Sequence, residues 1–525
     1  MPLTSSIWVN HSFSGGLATD FGTTIFTPLD QTNSIKIPFL LEARNAVYTL
    51  NGGIRKAPGT TKFNAAVLSG ASTVRGLFDY WRQGTGDSAV QKRIVHHGTV
   101  IYNDNADGVF ASLFTGLNNT AIPNYATFDD ILIIADSALA DVPRSWDTVT
   151  AQNLAGTPPR FSFSVAHKNY QFAAGNFAFP SRLYYSVSLD PEDWVGGGSG
   201  SIDINPNDGD MITGLISHKN ELVVFKGPYK GSIHRITGTS GASWARTEFI
   251  SGLPLPWINS VFRFGDDIGW ITTNGSVHSL KATAAYGDYN QAWLSYPIHT
   301  YLQENLNNNR ARFFTSTVDP NRGYVWIGIT PSGQNTNTRH LIMDYRFLSQ
   351  NESSPRWSYW DSRAFASIAL IRDVSRPRLM AGAYNGFVYS LDQASRTDNG
   401  TAINYIVETP SMTYGTDWRL KSLVDVGINL NAFNDNIVSL VTTRDSASDA
   451  TRTVTQGAVG GLFDSGLFDN AVFGGAAYTT RFYNIENGGD FRSISYRFSD
   501  TVDSSDIELN SFISKVTPGG ESQEN

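Results

Sequence analysis

Four stretches of the chain are variations on one unit: Phe128-Asp-Asp-Ile-Leu-Ile-Ile-Ala135, His167-Lys-Asn-Tyr-Gln-Phe-Ala-Ala174, His218-Lys-Asn-Glu-Leu-Val-Val-Phe225 and Phe264-Gly-Asp-Asp-Ile-Gly-Trp-Ile271. Each opens with a polar turn of two or three residues and continues as a short apolar strand rich in β-branched and aromatic residues. Successive copies lie roughly 40–50 residues apart, the period of one β-propeller blade. The equivalent positions Leu132, Phe172, Val224 and Trp270 are therefore expected to be buried between blades.

Working outward, a second unit marks the strand that follows. It reads His97-Gly-Thr-Val-Ile-Tyr102, Asn274-Gly-Ser-Val-His-Ser-Leu280 and Asn385-Gly-Phe-Val-Tyr-Ser-Leu391. A turn with Gly followed by x-Val pairs back on its upstream strand as a hairpin, the setting in which Asn-Gly suits a type I′ turn. Other alternating runs are Tyr324-Val-Trp-Ile-Gly-Ile329 and Ile437-Val-Ser-Leu-Val-Thr442. Helical periodicity is scarce; Gln303 to Arg312 is expected to form a helix or helical turn. Irregular spacing between units predicts a propeller with insertions rather than a strict solenoid.

The expected organisation is an N-terminal arm over 1–40 that packs on a neighbour, an irregular propeller with insertions over 41–395, and a β-sandwich-like C-terminal domain over 396–525. The last part carries the Gly/Phe stretch Gly460-Gly-Leu-Phe-Asp-Ser-Gly-Leu-Phe-Asp-Asn-Ala-Val-Phe-Gly474 and ends in a polar, frayed tail from Pro518. The fold class is thus all-β.

Composition agrees. The 525 residues include 48 Gly and 21 Pro, 12% aromatics and only 16% charged residues, against roughly 25% charged in an average globular protein. With no cysteine, disulfides, iron–sulfur clusters and thiolate zinc sites are excluded; assembly in a reducing cytoplasm fits this, and a Cys-free secreted bacterial protein stays open as the alternative. A net charge of −8 advertises no nucleic-acid-binding surface. The N-terminus lacks a basic stretch followed by an apolar one, so no signal peptide is expected. No run approaches about 18 apolar residues, so no membrane span is expected.

The motifs of common chemistries fail on inspection. His96-His97 is the only close pair among nine histidines, and no HExxH occurs. Gly238-Thr-Ser-Gly-Ala242 lacks the last Gly of a nucleophile elbow. The acidic loop Asp203-Ile-Asn-Pro-Asn-Asp-Gly-Asp210 puts Asp208 and Gly214 where a calcium loop needs Gly and Glu, so it reads as a turn between strands. Gly196-Gly-Gly-Ser-Gly-Ser201 leads into no helix and makes no phosphate cradle. Trp146-Asp147 and Trp360-Asp361 lack the preceding Gly-His of a WD repeat. The aromatics of Trp357-Ser-Tyr-Trp-Asp361 and Leu183-Tyr-Tyr185 read as core in preference to stacking platforms. No catalytic residue, cofactor or metal is expected.

The segment Leu41-Glu-Ala-Arg-Asn-Ala-Val-Tyr-Thr-Leu-Asn-Gly-Gly-Ile-Arg-Lys-Ala-Pro-Gly-Thr60 resembles the N-terminal region of bacteriophage (podovirus) tail hub and tail nozzle proteins. There an Arg-Asn motif precedes a strand, a Gly turn and an Arg-x-x-Pro-Gly-Thr stretch. Arg182-Leu-Tyr-Tyr-Ser-Val-Ser-Leu-Asp-Pro-Glu-Asp-Trp194 is similar to that family's strand, Ser, Asp-Pro, Trp segment. Asp208-Gly-Asp-Met-Ile-Thr-Gly-Leu215 and Glu221-Leu-Val-Val-Phe-Lys226 follow it in the family's order, as do Gly269-Trp270 and the strand to Leu280. The resemblance covers roughly 40–395, the repeat region; the C-terminal part matches in style only.

This resemblance implies a β-propeller tail-tube component below the portal and adaptor, without enzymatic activity. Its partners would be further copies of itself in a ring, a hexamer, with the head-to-tail adaptor or connector and tail fibres or spikes. It would belong to the virion and be assembled in the host cytoplasm. The ring would enclose DNA without specific binding, retain it in the packaged state and conduct it during ejection. An acidic chain suits such a lumen, because Lys/Arg contacts to phosphates would grip the DNA. Two alternatives stay open. A propeller-type polysaccharide depolymerase or glycosidase would need paired carboxylates about 5–10 Å apart, and the Ser-x-Asp-x-Gly-x-Thr-Trp box of sialidase-like propellers is absent. A receptor- or carbohydrate-binding tail protein would use exposed aromatics.

Overall fold

In the computed structural model the described residues are 6–13, 15–27, 34–68, 70, 72–84, 89–104, 108–138, 141–280, 293–346, 348, 354–372, 377–393, 396–415, 418–432, 436–456, 478–484, 489–503 and 505–518. The Gly/Phe stretch at 460–474 and the tail beyond Pro518 lie outside them.

The recurring unit folds as the hairpin between the first and second strands of a blade. Pro123–Phe128 pairs with Ile131–Asp136, Phe163–His167 with Tyr170–Ala174, Met211–His218 with Glu221–Gly227 and Val261–Phe264 with Asp267–Ile271. The polar turn residues take the left-handed backbone that a tight hairpin requires: Asp129 and Asp130 have φ of 45° and 60°, Lys168 53° and Lys219 52°. The second unit supplies the third strand. In both Asn-Gly turns the Gly has positive φ, 86° at Gly275 and 81° at Gly386, and Val388 pairs back on Gly382.

Among the described residues, six four-stranded blades and one three-stranded sheet result. Five of the blades span 74–114, 123–153, 163–203, 211–251 and 315–360, and the three-stranded sheet spans 261–279. In the sixth, Phe365–Arg372, Pro377–Ala383 and Val388–Gln393 take their outer strand, Gly59–Lys62, from far upstream. The first strand of the last blade packs on Val74–Arg82 of the first, which closes the ring. The architecture is a β-propeller, as the repeats predict.

Its core is built from alternate strand positions facing the next blade. Leu132, Phe172, Val224 and Trp270 are each fully buried. Trp270 stacks edge-to-face on Phe225 of the preceding blade, with ring centroids 5.5 Å apart. Truncating Trp270→Ala is expected to cost about 3 kcal/mol or more, through lost contacts and the cavity left behind. A urea midpoint equal to that of the wild type would refute this register.

A two-sheet sandwich adjoins the propeller, and its strands come from both ends of the chain. One sheet runs in the order Ser34–Ile37, Ile7–Phe13, Ile507–Pro518, Lys421–Ala432, Tyr478–Asn484. The other contains Ser411–Met412, Ile494–Asp500, Tyr405–Glu408 and Glu42–Arg44, and continues without a break into the blade ending at Arg356–Trp360. Apolar residues of both sheets, among them Phe13, Val426, Phe498 and Phe512, share one core. At its centre a polar knot joins four segments: Tyr414 Oη lies 3.0 Å from His11 Nε2, 2.7 Å from Tyr496 Oη and 2.9 Å from Ser514 Oγ.

Three expectations need correction. The strand Ile7–Phe13 of the expected arm is part of the chain's own sandwich, paired along its length with Ile507–Pro518. Residues 41–58 belong with the sandwich, and the propeller begins at Gly59. The helix expected from Gln303 to Arg312 is split into an α-helix, His299–Asn305, and a 3-10 turn, Asn308–Phe313. Leu306 between them is extended, and the asparagines that follow are poor helix formers.

Candidate functional site

The residues singled out as possible chemistry are engaged in holding loops. In the acidic loop, Asp203 pairs with Arg182 at 2.8 Å and Asp208 with Lys226 at 2.6 Å. Asp210 accepts backbone N–H bonds from Tyr229, Lys230 and Gly231 at 2.7–3.0 Å. Lys226 is itself fully buried and also donates to Ser181 and to the carbonyls of Ile204 and Asn205. The loop is a clamp between two blades. Asp193 accepts the amides of Val195 and Gly196 and fixes the Gly-rich loop ahead of a strand. Ser240 sits in a turn closed by Ser243. His96 and His97 are neighbours in one strand, so their side chains project to opposite faces. Trp357, Trp360 and Leu183 are fully buried and Tyr185 nearly so, the core role expected of them, while Tyr184 and Tyr359 on the alternate positions are only half-buried.

The resemblance segment 41–60 forms the joint between propeller and sandwich. Asn45, at φ 50°, donates from Nδ2 to Asp361 and to the Asn404 carbonyl and accepts from the Asp361 amide. Arg44 pairs with the same Asp361 at 3.0 Å. Lys56 and Asp500 are both fully buried and 2.7 Å apart. Thr60 donates to Asp398, which also pairs with Arg363 at 2.9 Å. The segment thus anchors the strand that closes the propeller and, four residues earlier, the sandwich.

Of the cavities among the described residues, two lie on the propeller. On the propeller axis a space of about 260 Å³ is lined by first strands, with Arg75, Asn124, Ser316 and Ser367 among its polar groups. On the face that carries the connections between blades lies an open cleft of about 670 Å³. Its walls come from Phe177 to Ser181, the acidic clamp loop, Pro228-Tyr229, Pro256-Trp257 and the turn Asn308–Phe313. That turn is held by Asn337 Nδ2 donating to the Phe313 carbonyl at 2.8 Å and by Asn307 Nδ2 donating to the Gln334 carbonyl at 2.8 Å.

Arg312 from this turn lies over the Trp257 ring, 4.2 Å from its centroid, and 5.4 Å from that of Phe177. Its Nε and Nη2 are buried without a hydrogen-bond partner. Burial alone displaces its pKa, downward, and no carboxylate pairs with it among the described residues. Thr213, the unpaired residue of a β-bulge, presents a second buried, unpartnered hydroxyl in the wall. Tyr229 stands at the rim, 79% exposed. Sequence reading missed this cleft because its residues come from six separate connections, Thr273 among them, that lie far apart along the chain. Among the described residues, no three His, Cys, Asp or Glu gather as metal ligands would.

No family model matches the sequence, and neither does any curated protein. Among solved structures, the chain is similar to U3-55K (9% identity over 64% of this chain and 99% of that one, TM-score 0.40). It is also similar to YCF48 bound to a D1 peptide (9% identity, 64% and 98%, TM-score 0.38). A third is XC5397, a gluconolactonase from Xanthomonas campestris (12% identity, 65% and 90%, TM-score 0.31). Likenesses this distant carry no argument about activity.

Proposed function

We propose that the chain is a non-enzymatic structural protein of a short-tailed phage virion, a subunit of the tail hub or nozzle ring around the DNA exit channel. The observation that carries this reading is the role of the residues on which the resemblance rests. Arg44 and Asn45 of the sandwich pin it to the propeller blade ending at Trp360 through Asp361, while Lys56 with Asp500 and Thr60 with Asp398 fix the segment within the sandwich and at the closing strand, as a two-part building block would need. In this reading the DNA channel belongs to the six-fold ring, because the axial cavity of about 260 Å³ has no room for a duplex. A lumen drawn from a chain of net charge −8 leaves the phosphates ungripped and the DNA free to slide. The ring contacts fall to the insertions and the sandwich, with the head-to-tail connector above and fibres or spikes at the side.

Mixing the purified protein with the connector and viewing it by electron microscopy tests this. Closed rings coaxial with the connector are expected, and cryo-EM of the virion should place the chain around the tail axis. Density confined to peripheral appendages, or reducing ends released from host polysaccharide and lost on a single Asp or Glu substitution, would overturn the reading.

A further inference from the structure

The cavity on the propeller axis carries polar groups that neither the fold nor the structural role uses. First strands and the turns that enter them line it, and no Asp or Glu stands among its described lining residues. Arg75, in the strand Val74–Arg82, donates from Nε to the Asn119 carbonyl at 2.8 Å. Its Nη1 and Nη2 have no partner among the described residues and, unlike the Arg312 donors, they keep contact with solvent. Burial lowers the Arg75 pKa, the neighbouring cation Arg310 lowers it further, and no carboxylate acts against them. An unpaired guanidinium of this kind is relieved by an anion that accepts its N–H groups.

Two amides line the same space. Asn124 accepts the Ser164 N–H through Oδ1 at 3.1 Å, which leaves Nδ2 as the group it offers the cavity. Asn259, in the turn Ile258–Ser260 ahead of the sheet at 261–279, has no side-chain partner among the described residues, and its amide atoms also keep contact with solvent. Donors therefore come from three separate places around the axis. One guanidinium fork satisfies a planar carboxylate, but donors from several sides call for acceptor oxygens that point several ways, as on a tetrahedral oxyanion. A space of about 260 Å³ falls short of the roughly 300–1,000 Å³ usual for organic ligands, and suits a small ion with a few waters.

We infer that the propeller axis binds a free oxyanion of the phosphate class, gripped by the Arg75 guanidinium and by the Asn124 and Asn259 amides, which ties separate blades together across the axis. The inference does not rest on ring assembly, because every group belongs to one chain.

Calorimetric titration of the isolated chain with inorganic phosphate tests it, near neutral pH in a chloride buffer of constant ionic strength. Saturable binding to a single site is expected, with a dissociation constant of about 1 mM or tighter. Sulfate should compete and chloride should not. Arg75→Lys keeps the charge but removes the fork, and should weaken phosphate binding at least about tenfold, the loss of one charge-assisted bond. Asn124→Asp still accepts the Ser164 N–H but sets a carboxylate where the amide donated. It should abolish binding while its far-UV spectrum and cooperative unfolding stay those of the wild type. Adenosine monophosphate should bind at least about tenfold more weakly than the free ion, since the cavity has no room for the nucleoside. Absence of saturable phosphate binding would refute the inference. So would wild-type affinity in a folded Arg75→Lys or Asn124→Asp variant, displacement of phosphate by an equal concentration of chloride, or nucleotide binding as tight as that of the free ion.

Discussion

Lowering the pH from 8 to 5 is expected to destabilise the folded chain by about 8 kcal/mol. Five histidines carry most of this effect. Burial pushes His11, His278 and His340 down to about 3 and His96 and His167 down to about 4, from an ordinary 6.5. Above about pH 6.5 each is neutral in both folded and unfolded chains and contributes nothing. Below it the unfolded chain takes up protons that the folded one refuses, so stability falls with pH down toward 3–4. At pH 5 the difference is about 2 kcal/mol per histidine. Asp136 works the other way: burial, reinforced by Asp141 beside it, raises its pKa to about 7, and it offsets roughly one histidine. Urea unfolding followed at pH 8, 7, 6 and 5 reads this directly. His340 packs against Trp360 and Phe365 with centroids 5.5 and 5.3 Å away, so His340→Phe should fit there and flatten the dependence by about a quarter. A stability constant between pH 8 and 5 would show that these rings are charged, or wet, in the folded state.

The second large effect sits at the joint. Lys56→Met is expected to cost about 3–5 kcal/mol, because it leaves the Asp500 carboxylate buried without its cation. The lysine also donates to the Val502 carbonyl at 3.1 Å and lies 3.3 Å from Ser505 Oγ, so the loop beyond the strand Ile494–Asp500 should loosen with it. Pairing the change with Asp500→Leu should recover much of the loss, since a buried ion pair gains little over an apolar one of similar volume. Thermal unfolding of the two single variants and the double variant forms the cycle. Additive losses in the double variant would mean that the two groups do not act as a pair. Hydrogen exchange should meanwhile show protection falling first in the strand Gly59–Lys62, which leaves the joint three residues later.

The blades were legible in the sequence for a local reason. A turn residue at positive φ and an alternating strand lie within eight residues of each other, as in His218–Phe225, and neither needs a distant partner to declare itself. The same locality placed Leu132, Phe172, Val224 and Trp270 in the core. The sandwich was less legible. Its style of strand was readable in Ile437–Thr442, but Ile7–Phe13 shows only a short alternation whose partner is about 500 residues away.

What the sequence determined by itself is therefore the class of structure, the period of its blades, and a chain poor in charge, free of cysteine and without a recognisable catalytic motif. Tertiary structure alone decided three things. It sent the N-terminal strand to the C-terminal one, it made Lys56 and Asp500 a buried pair across 444 residues, and it brought Arg312 over Trp257. Each is a contact between segments that carry no mutual signal along the chain. Hydrogen bonding, burial and ring stacking depend on distance in space, and only the closed ring of blades and the sandwich beside it set those distances.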